Sequence, residues 1–413
     1  MEEQFSPLSI RLTQLLTKSE KKQFGIFITP RVITKRVIDF VKQYTVENSI
    51  TIQSILEPSC GTCEIVNYCD ECFNNVHIKA IELNATLFVA ITTLNFKNSV
   101  TLLNGDFIQQ ETAVKYDLVV GNPPYFVCDK MYNVPEQHAE HVNGRPNIFG
   151  LFILHAMSML TPNGIVAFII PRSFLNSAYY AKIRNHIKET CTILTIIDFE
   201  KNNQFIDTEQ ATLAIVFKRE SNKKIRSIVE ECNYSIKLGN DFMFTSDSHF
   251  LKSIFEGSTT LAKLGLNVRT GQVVWNQHKD KLTHDSTQGT VLLYDTNVTK
   301  QHTIELKTFK NAEKKQYIDM DGRMDTILVV SRGHGNSKYK LEYALIDFAP
   351  YLTENHLNEI YSKNEMKQGK LVQLLEKVIA SFNNPKTQLF IDTFLGNNGL
   401  SKTELETIFP IYI

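Results

Sequence analysis

Residues 116–125 read YDLVVGNPPY. The run Leu118-Val119-Val120 has no polar alternation, stops at a glycine, and is followed by two prolines. Apolar runs without alternation indicate a strand covered on both faces, as in a parallel sheet flanked by helices. The prolines fix φ and remove two backbone donors, so neither strand nor helix can continue through them. In open α/β sheets, ligands bind where strands end at their carboxyl termini. A buried strand closing on a rigid polar corner therefore predicts both the fold and the location of a site.

The same kind of run recurs on either side. Strand candidates are 52–56 (IQSIL), 77–82 (HIKAIE), 100–104 (VTLLN), 164–170 (GIVAFII), 193–198 (ILTIID) and 212–218 (TLAIVFK). Helical stretches at 84–96, 147–160 and 177–189 lie among them. Seven strands in this order predict an α/β fold over residues 1–225, a doubly wound, mostly parallel Rossmann-like sheet. The last two runs are too close for a helical crossover, so the final strand is expected to be antiparallel. From 226 to 413 the pattern turns irregular, with strand-like runs in 270–279, 289–295 and 325–340 and a helical stretch at 359–382. This predicts a second, α+β domain, in keeping with a 413-residue chain that exceeds one core.

Composition narrows the function classes. Lys plus Arg and Asp plus Glu each number 44, so no general basic coat is expected. Between 260 and 340, however, thirteen Lys and Arg stand against eight Asp and Glu, a local basic bias. Seven cysteines in a chain whose N-terminus (MEEQFSPLSIRL) lacks a leader pattern predict reduced thiols and a cytoplasmic location. No apolar run reaches the roughly 18 residues that a membrane helix needs.

The strand ends carry a consistent polar set. The first runs into Glu57-Pro58-Ser59-Cys60-Gly61, the second ends at Glu82, and the third is followed by Asp106-Phe107. A carboxylate at the end of the second strand suits a ribose diol, since it accepts from both hydroxyls. Asp106 can accept from an adenine amino group, with Phe107 against the ring face. Acids at strand ends are also common helix caps, but three in order after a glycine-containing turn point to an adenosine site. Neither a Gly-x-Gly-x-x-Gly nor a Gly-Lys-Ser/Thr phosphate loop is present, so the adenosine is expected without phosphates.

Residues 59–72, SCGTCEIVNYCDEC, hold two Cys-x-x-Cys pairs and raise a metal-site reading. With a helix from about Cys63, Cys69 and Cys72 point in different directions, and Cys72 lies about 13 Å along the axis. Zinc thiolates must each sit about 2.3 Å from the ion, so these four do not converge. No metal is expected, and Cys69 and Cys72 read as core thiols.

Asn122-Pro123-Pro124-Tyr125 carries the chemistry. The Asn122 side-chain oxygen and the Pro123 carbonyl can both accept from one exocyclic amine, which draws its nitrogen towards sp³ geometry and frees the lone pair to attack a methyl group in line. Pro124 holds the corner, and Tyr125 offers a ring on which a planar target can stack. The plain alternative is a proline turn that closes a strand. The polar stretch 126–146 after it reads as a mobile flap, with His138 and His141 as solvated loop histidines.

This set resembles the S-adenosylmethionine-dependent methyltransferases, and more narrowly the γ-class adenine-N6 DNA methyltransferases of restriction–modification systems. FGIFITPRV matches the family's cofactor segment at Thr29 and Pro30, Glu57 to Gly61 match its Glu-Pro-x-Cys-Gly loop, and Asn122 to Tyr125 match its catalytic tetrapeptide. The resemblance implies methionine-end contacts from Thr29 and the 57–61 loop, ribose recognition by Glu82, and adenine contacts by Asp106 and Phe107. It also implies that Phe205 packs on an adenine swung out of the duplex, with Tyr125 on its face. One departure is Cys63, where relatives usually carry a second glycine; a side chain there crowds the turn or needs a positive φ.

The resemblance further implies that 226–413 reads double-stranded DNA. Arg269, Arg323, Arg332, Lys338 and Lys340 are the candidate contacts, beside Gly333 and Gly335. A monomer is expected, with a cognate restriction endonuclease as candidate partner. Two alternatives share the tetrapeptide or the fold: an amino-group methyltransferase acting on RNA or protein glutamine, and a catalytically silent DNA-binding paralogue. Label transfer to each substrate separates the first, and cofactor calorimetry separates the second.

Overall fold

A computed structural model describes residues 4–15, 17, 27–142, 144–199, 211–221, 233–238, 241–287, 289–333, 339–362, 366–395 and 399–413. The chain divides into two compact units, Met1–His249 and Phe250–Ile413.

In the first unit, chain order is α1 (Pro7–Leu15), α2 (Arg31–Glu47), β1 (Ser54–Glu57), α3 (Glu64–Cys72), β2 (His77–Glu82), α4 (Ala85–Ile91) and β3 (Ser99–Asn104). It continues through β4 (Tyr116–Gly121), α5 (Ile148–Ser158), β5 (Leu160–Pro171), α6 (Ala181–Thr190), β6 (Cys191–Asp198) and β7 (Thr212–Arg219). The sheet order is β3-β2-β1-β4-β5-β7-β6. Strands β1 to β5 pair in parallel, and β7 runs antiparallel between β5 and β6. The fold is therefore the expected doubly wound, mostly parallel Rossmann-like sheet, with the final strand reversed. Its strand order turns back between β1 and β4, which pair at Leu56 and Val119. That switch point opens a crevice beside Glu57 and the residues after Gly121.

Both faces are covered, which explains the unbroken apolar runs. Within β4, Leu118 and Val120 pack with α2 and α3 through Val37, Ile38, Val41 and Val66, whereas Val119 packs with α5 through Leu151 and Leu154. Residues 148–157 of α5 are all buried, so this helix shows no polar face. Helix α4 stops at Ile91, short of the expected residue 96; the Thr92 and Thr93 hydroxyls bond back to Val89 and Ala90 carbonyls.

A hairpin of β8 (Ser235–Leu238) and β9 (Asp241–Phe244) belongs to this unit. Arg184 on α6, fully buried, donates to the Phe242 carbonyl at 2.5 Å and to Ser177 at 2.7 Å. The hairpin is thus tied to the sheet's helices, and the unit runs past residue 225 to His249.

The second unit holds β10 (Leu266–Thr270), β11 (Leu282–Thr283), β12 (Thr290–Leu293), β13 (Tyr317–Ile318), β14 (Ile327–Ser331), β15 (Tyr343–Ile346), β16 (Tyr351–Thr353), β17 (Leu357–Ser362) and helix α7 (Gln368–Phe382). Two four-stranded sheets form, ordered β10-β17-β14-β15 and β11-β13-β12-β16. The sequence predicts a helix from 359, but residues 359–362 are strand. Glu359 pairs with Arg269 on one side and Val329 on the other, and its buried carboxylate accepts from the Arg269 Nε and the Thr353 hydroxyl. Cross-strand pairing overrides the local helix preference of a Glu- and Lys-rich segment.

Candidate active site

A cavity of about 160 Å³ opens at the switch point. Its polar wall contains Glu57, Glu82 and Asp106, together with Thr29 and Ser59. Pro58, Cys60, Gly61, Phe107, Asn122 and Pro124 also line it. No Lys or Arg is in the lining among the described residues. Four acidic side chains, Glu57, Glu64, Glu82 and Asp106, without a cation disfavour a phosphate and favour a positively charged guest.

Glu82, at the end of β2, accepts from the backbone N–H of Gly61 at 2.8 Å and of Asn84 at 2.7 Å. The carboxylate thereby fixes the loop after β1. Gly61 at φ 53° permits the turn, and Gly121 is required at the end of β4, because a Cβ there would stand 2.6 Å from a Glu57 oxygen. Glu57 is 1% exposed, and neither carboxylate oxygen has a hydrogen-bond partner among the described residues. Burial pushes its pKa well above the carboxylate range, and the nearby Glu82 adds to this. A buried carboxyl without a partner is costly unless a guest supplies one. An ammonium or sulfonium cation fits that position.

Asp106 caps the short turn 107–109 by accepting from Ile108 N–H at 2.9 Å. The capping role of strand-end acids is thus realised here, in a residue that also lines the cavity. Phe107 is buried against Phe152, with ring centroids 4.9 Å apart. Pro30 is not part of the cavity lining; it starts α2, its carbonyl accepting from Ile33 and Thr34 N–H. Pro123 is buried, while Phe205 and Lys338 lie outside the described residues.

Asn122 is held from three sides. Its Nδ2 donates to the Phe27 carbonyl at 3.0 Å and to Thr29 Oγ1 at 3.1 Å. Its Oδ1 accepts from the Tyr125 hydroxyl, which also lies 2.9 Å from the Ile169 carbonyl. Ser59 Oγ donates to the Asn122 carbonyl at 3.2 Å, joining the loop after β1 to the tetrapeptide. The Tyr125 ring lies 6.3 Å from Phe27 at 20° and edge-on to Phe149 at 6.1 Å. Phe27, Phe126, Tyr132 and Phe152 line the cavity without being singled out by sequence. The signal for Phe27 was its place two residues before Thr29.

Within the stretch 126–146, exposed at many of its described residues, Cys128, His138 and Pro146 are buried. Cys128 N–H bonds to the Pro146 carbonyl at 2.8 Å, and His138 is only 3% exposed. His155 Nε2 lies 3.0 Å from the Gln110 carbonyl, and His138 Nε2 lies 3.2 Å from His155 Nδ1. His155 therefore donates through Nε2 and accepts at Nδ1. The expectation of a solvated histidine is corrected for His138, which packs on α5.

In the second unit, Arg269 pairs with Glu359 and, at 2.9 Å, with Asp325; its guanidinium also sits 4.1 Å from the Tyr361 ring centre. Arg323 donates to Gln272 at 2.8 Å, and Arg332 to the Asn355 carbonyl at 2.9 Å. Lys340 is exposed. Trp275 packs on the cluster around Leu282 and Tyr294. Among the described residues no group of three or more His, Cys, Asp or Glu side chains is arranged to hold a metal. No helix among them is long and apolar enough to cross a membrane.

Residues 66–205 match the family described as Eco57I restriction-modification methylase. Type II methyltransferase M.CvrRI of Paramecium bursaria Chlorella virus XZ-6E is 25% identical over 413 residues, covering 99% of both chains. Modification methylase CviBIII of Paramecium bursaria Chlorella virus NC1A is 34% identical over 219 residues, or 52% of this chain and 55% of that one. A tRNA1(Val) (adenine(37)-N6)-methyltransferase of Aliivibrio fischeri is 32% identical over 104 residues, or 24% of this chain and 43% of that one. In its parallel sheet, its cavity lined by acidic side chains and these matches, the chain is similar to DNA methyltransferases of restriction–modification type, whose cofactor is S-adenosylmethionine.

Proposed function

We propose that the protein methylates N6 of an adenine swung out of duplex DNA, as the modification enzyme of a restriction–modification system. The observation that carries this reading is the fixed Asn122 carboxamide. Its nitrogen is engaged by Phe27 and Thr29, so its oxygen is turned away from them, next to the carboxylate-lined cavity. That oxygen and the Pro123 carbonyl would accept the two protons of one exocyclic amine. Glu57, Glu82, Asp106, Phe107, Thr29 and the 58–61 loop would hold S-adenosylmethionine, which supplies an electrophilic methyl group when bound. The product ammonium then loses its proton to solvent, so no strong base is required.

Tyr125 has a second part. Its hydroxyl caps the acceptor that the amine would use, and burial keeps the group protonated. An incoming amine must share or displace this bond, after which the ring is available for stacking. In the second unit, Lys340 and Arg332 are the candidate DNA contacts, while Arg269 and Arg323 serve the sheet's internal carboxylates.

The test is label transfer from tritiated S-adenosylmethionine to mixed-sequence duplex DNA, with RNA and a glutamine peptide in parallel. The reading predicts N6-methyladenine in the duplex arm. Label confined to RNA, the direction suggested by the tRNA-methylating relative, or to peptide, overturns it.

A further inference from the structure

The Cys60-Gly61-Thr62-Cys63 segment joins β1 to α3, and its second cysteine stands at a strained position. Cys63 has φ 66°, in the left-handed region, which favours glycine over a residue with a side chain. Its N–H donates to the Cys60 carbonyl at 2.7 Å, closing a turn between the two. Such turns hold their first and last Cα atoms within about 7 Å, and disulfides usually span about 4.4–6.8 Å. Both cysteines are free thiols, 7% and 0% exposed. Cys60 lines the cavity, so a reagent reaches it by the same opening as the cofactor.

We propose that Cys60 and Cys63 form a thiol–disulfide site in the cofactor loop, oxidised by a small disulfide such as oxidised glutathione and blocked by bound cofactor. Cys60 gives its proton to solvent, and its thiolate attacks one sulfur of the reagent. The reagent's S–S bond breaks, and one thiol leaves after taking up a proton. Cys63 then loses its proton and attacks Cys60 Sγ, releasing the second thiol. Two protein thiols are oxidised, and one disulfide is reduced to two thiols.

The consequence lies in the loop. Cys60 N–H bonds to the Ile81 carbonyl and Gly61 N–H to Glu82, each at 2.8 Å. Drawing the sulfurs to about 2.05 Å pulls on this turn and on the carboxylate it positions, which weakens cofactor binding. The neighbouring Cys63 thiol and burial hold the Cys60 thiol well above the usual thiol range. Exchange is accordingly slow at pH 7 and faster as pH rises.

The proposal rests on the cofactor reading only for its effect, not for the bond itself. The native protein is treated with oxidised glutathione at pH 8, digested without reduction and mapped by mass spectrometry. In parallel, S-adenosylhomocysteine affinity is measured by calorimetry before oxidation, after it, and after dithiothreitol. The expected result is a Cys60–Cys63 bond, at least tenfold weaker binding restored by the reductant, and slower oxidation when the ligand is present. Cys63→Ser should stop at a glutathione adduct on Cys60, and Cys63→Gly should bind the ligand as the reduced protein does. An unmodified Cys60, a bond to another cysteine, or a mapped Cys60–Cys63 bond with unchanged affinity overturns the proposal. If the reduced protein binds no cofactor at all, the functional reading fails, and the mapped bond still decides this one.

Discussion

Glu57 is the residue whose state should respond most to cofactor. Its carboxyl is buried without a partner, and its pKa is raised by burial and by Glu82. In the folded, ligand-free protein it holds its proton above the pH at which an unfolded glutamate ionises. Stability from this group is therefore complete below about pH 4.5 and is lost as pH rises towards the folded value. A cation brought beside it reverses the preference and favours the carboxylate. Calorimetry of S-adenosylhomocysteine binding at pH 7 in buffers of different ionisation enthalpy should therefore show proton release, and Glu57→Gln should abolish it; equal release by the variant contradicts the assignment. Sequence reading found Glu57 by its place at a strand end. It could not find that both oxygens are unpartnered, because that depends on the close approach of Gly121 to the side chain across two strands.

Two elements depend on buried polar groups that local sequence does not reveal. The stretch 126–146 is anchored by His138, whose pKa is lowered to about 4, first by burial and then by His155. Protonation is thus taken up by the unfolded form from about pH 6.5 downward, and stability falls between that value and about pH 4. Thermal melts at pH 7 and pH 5 should show this loss, and His138→Gln should reduce it; an unchanged pH slope refutes the anchor. The second element is β17, where Glu359 is fully buried and depends on Arg269. Arg269→Ala should cost about 3–5 kcal/mol, since it strands a buried charge, and adding Glu359→Gln should recover most of it. A drop limited to DNA affinity, with the melting temperature unchanged, would show that Arg269 is not structural. The segment from 359 reads as helix because its Glu and Lys content is local information, whereas the ion pair joins residues distant in sequence.

Across the whole molecule, legibility follows the range of the interactions. The seven-stranded sheet was readable, since strands covered on both faces lack polar alternation, and the reversed β7 followed from a short connection. The strand-end residues were readable because open sheets bind ligands at that edge. The second unit was not, since its short strands pair β10 with β17 and β12 with β16 across long separations. Its reading of DNA is a proposal that exposed Lys340 can test: Lys340→Ala should keep the melting temperature and lower the slope of log affinity against log salt by about one. The central claim is that one carboxamide, fixed by Phe27 and Thr29, grips the amine that is methylated. Asn122→Ala tests it most directly, by single-turnover methyl transfer to duplex DNA alongside cofactor calorimetry. The account predicts a rate lower by on the order of 10²–10³, as for the loss of one fixed polar contact to a reacting group, with cofactor affinity within a few-fold. A variant that methylates adenine within a few-fold of the unaltered protein would contradict it.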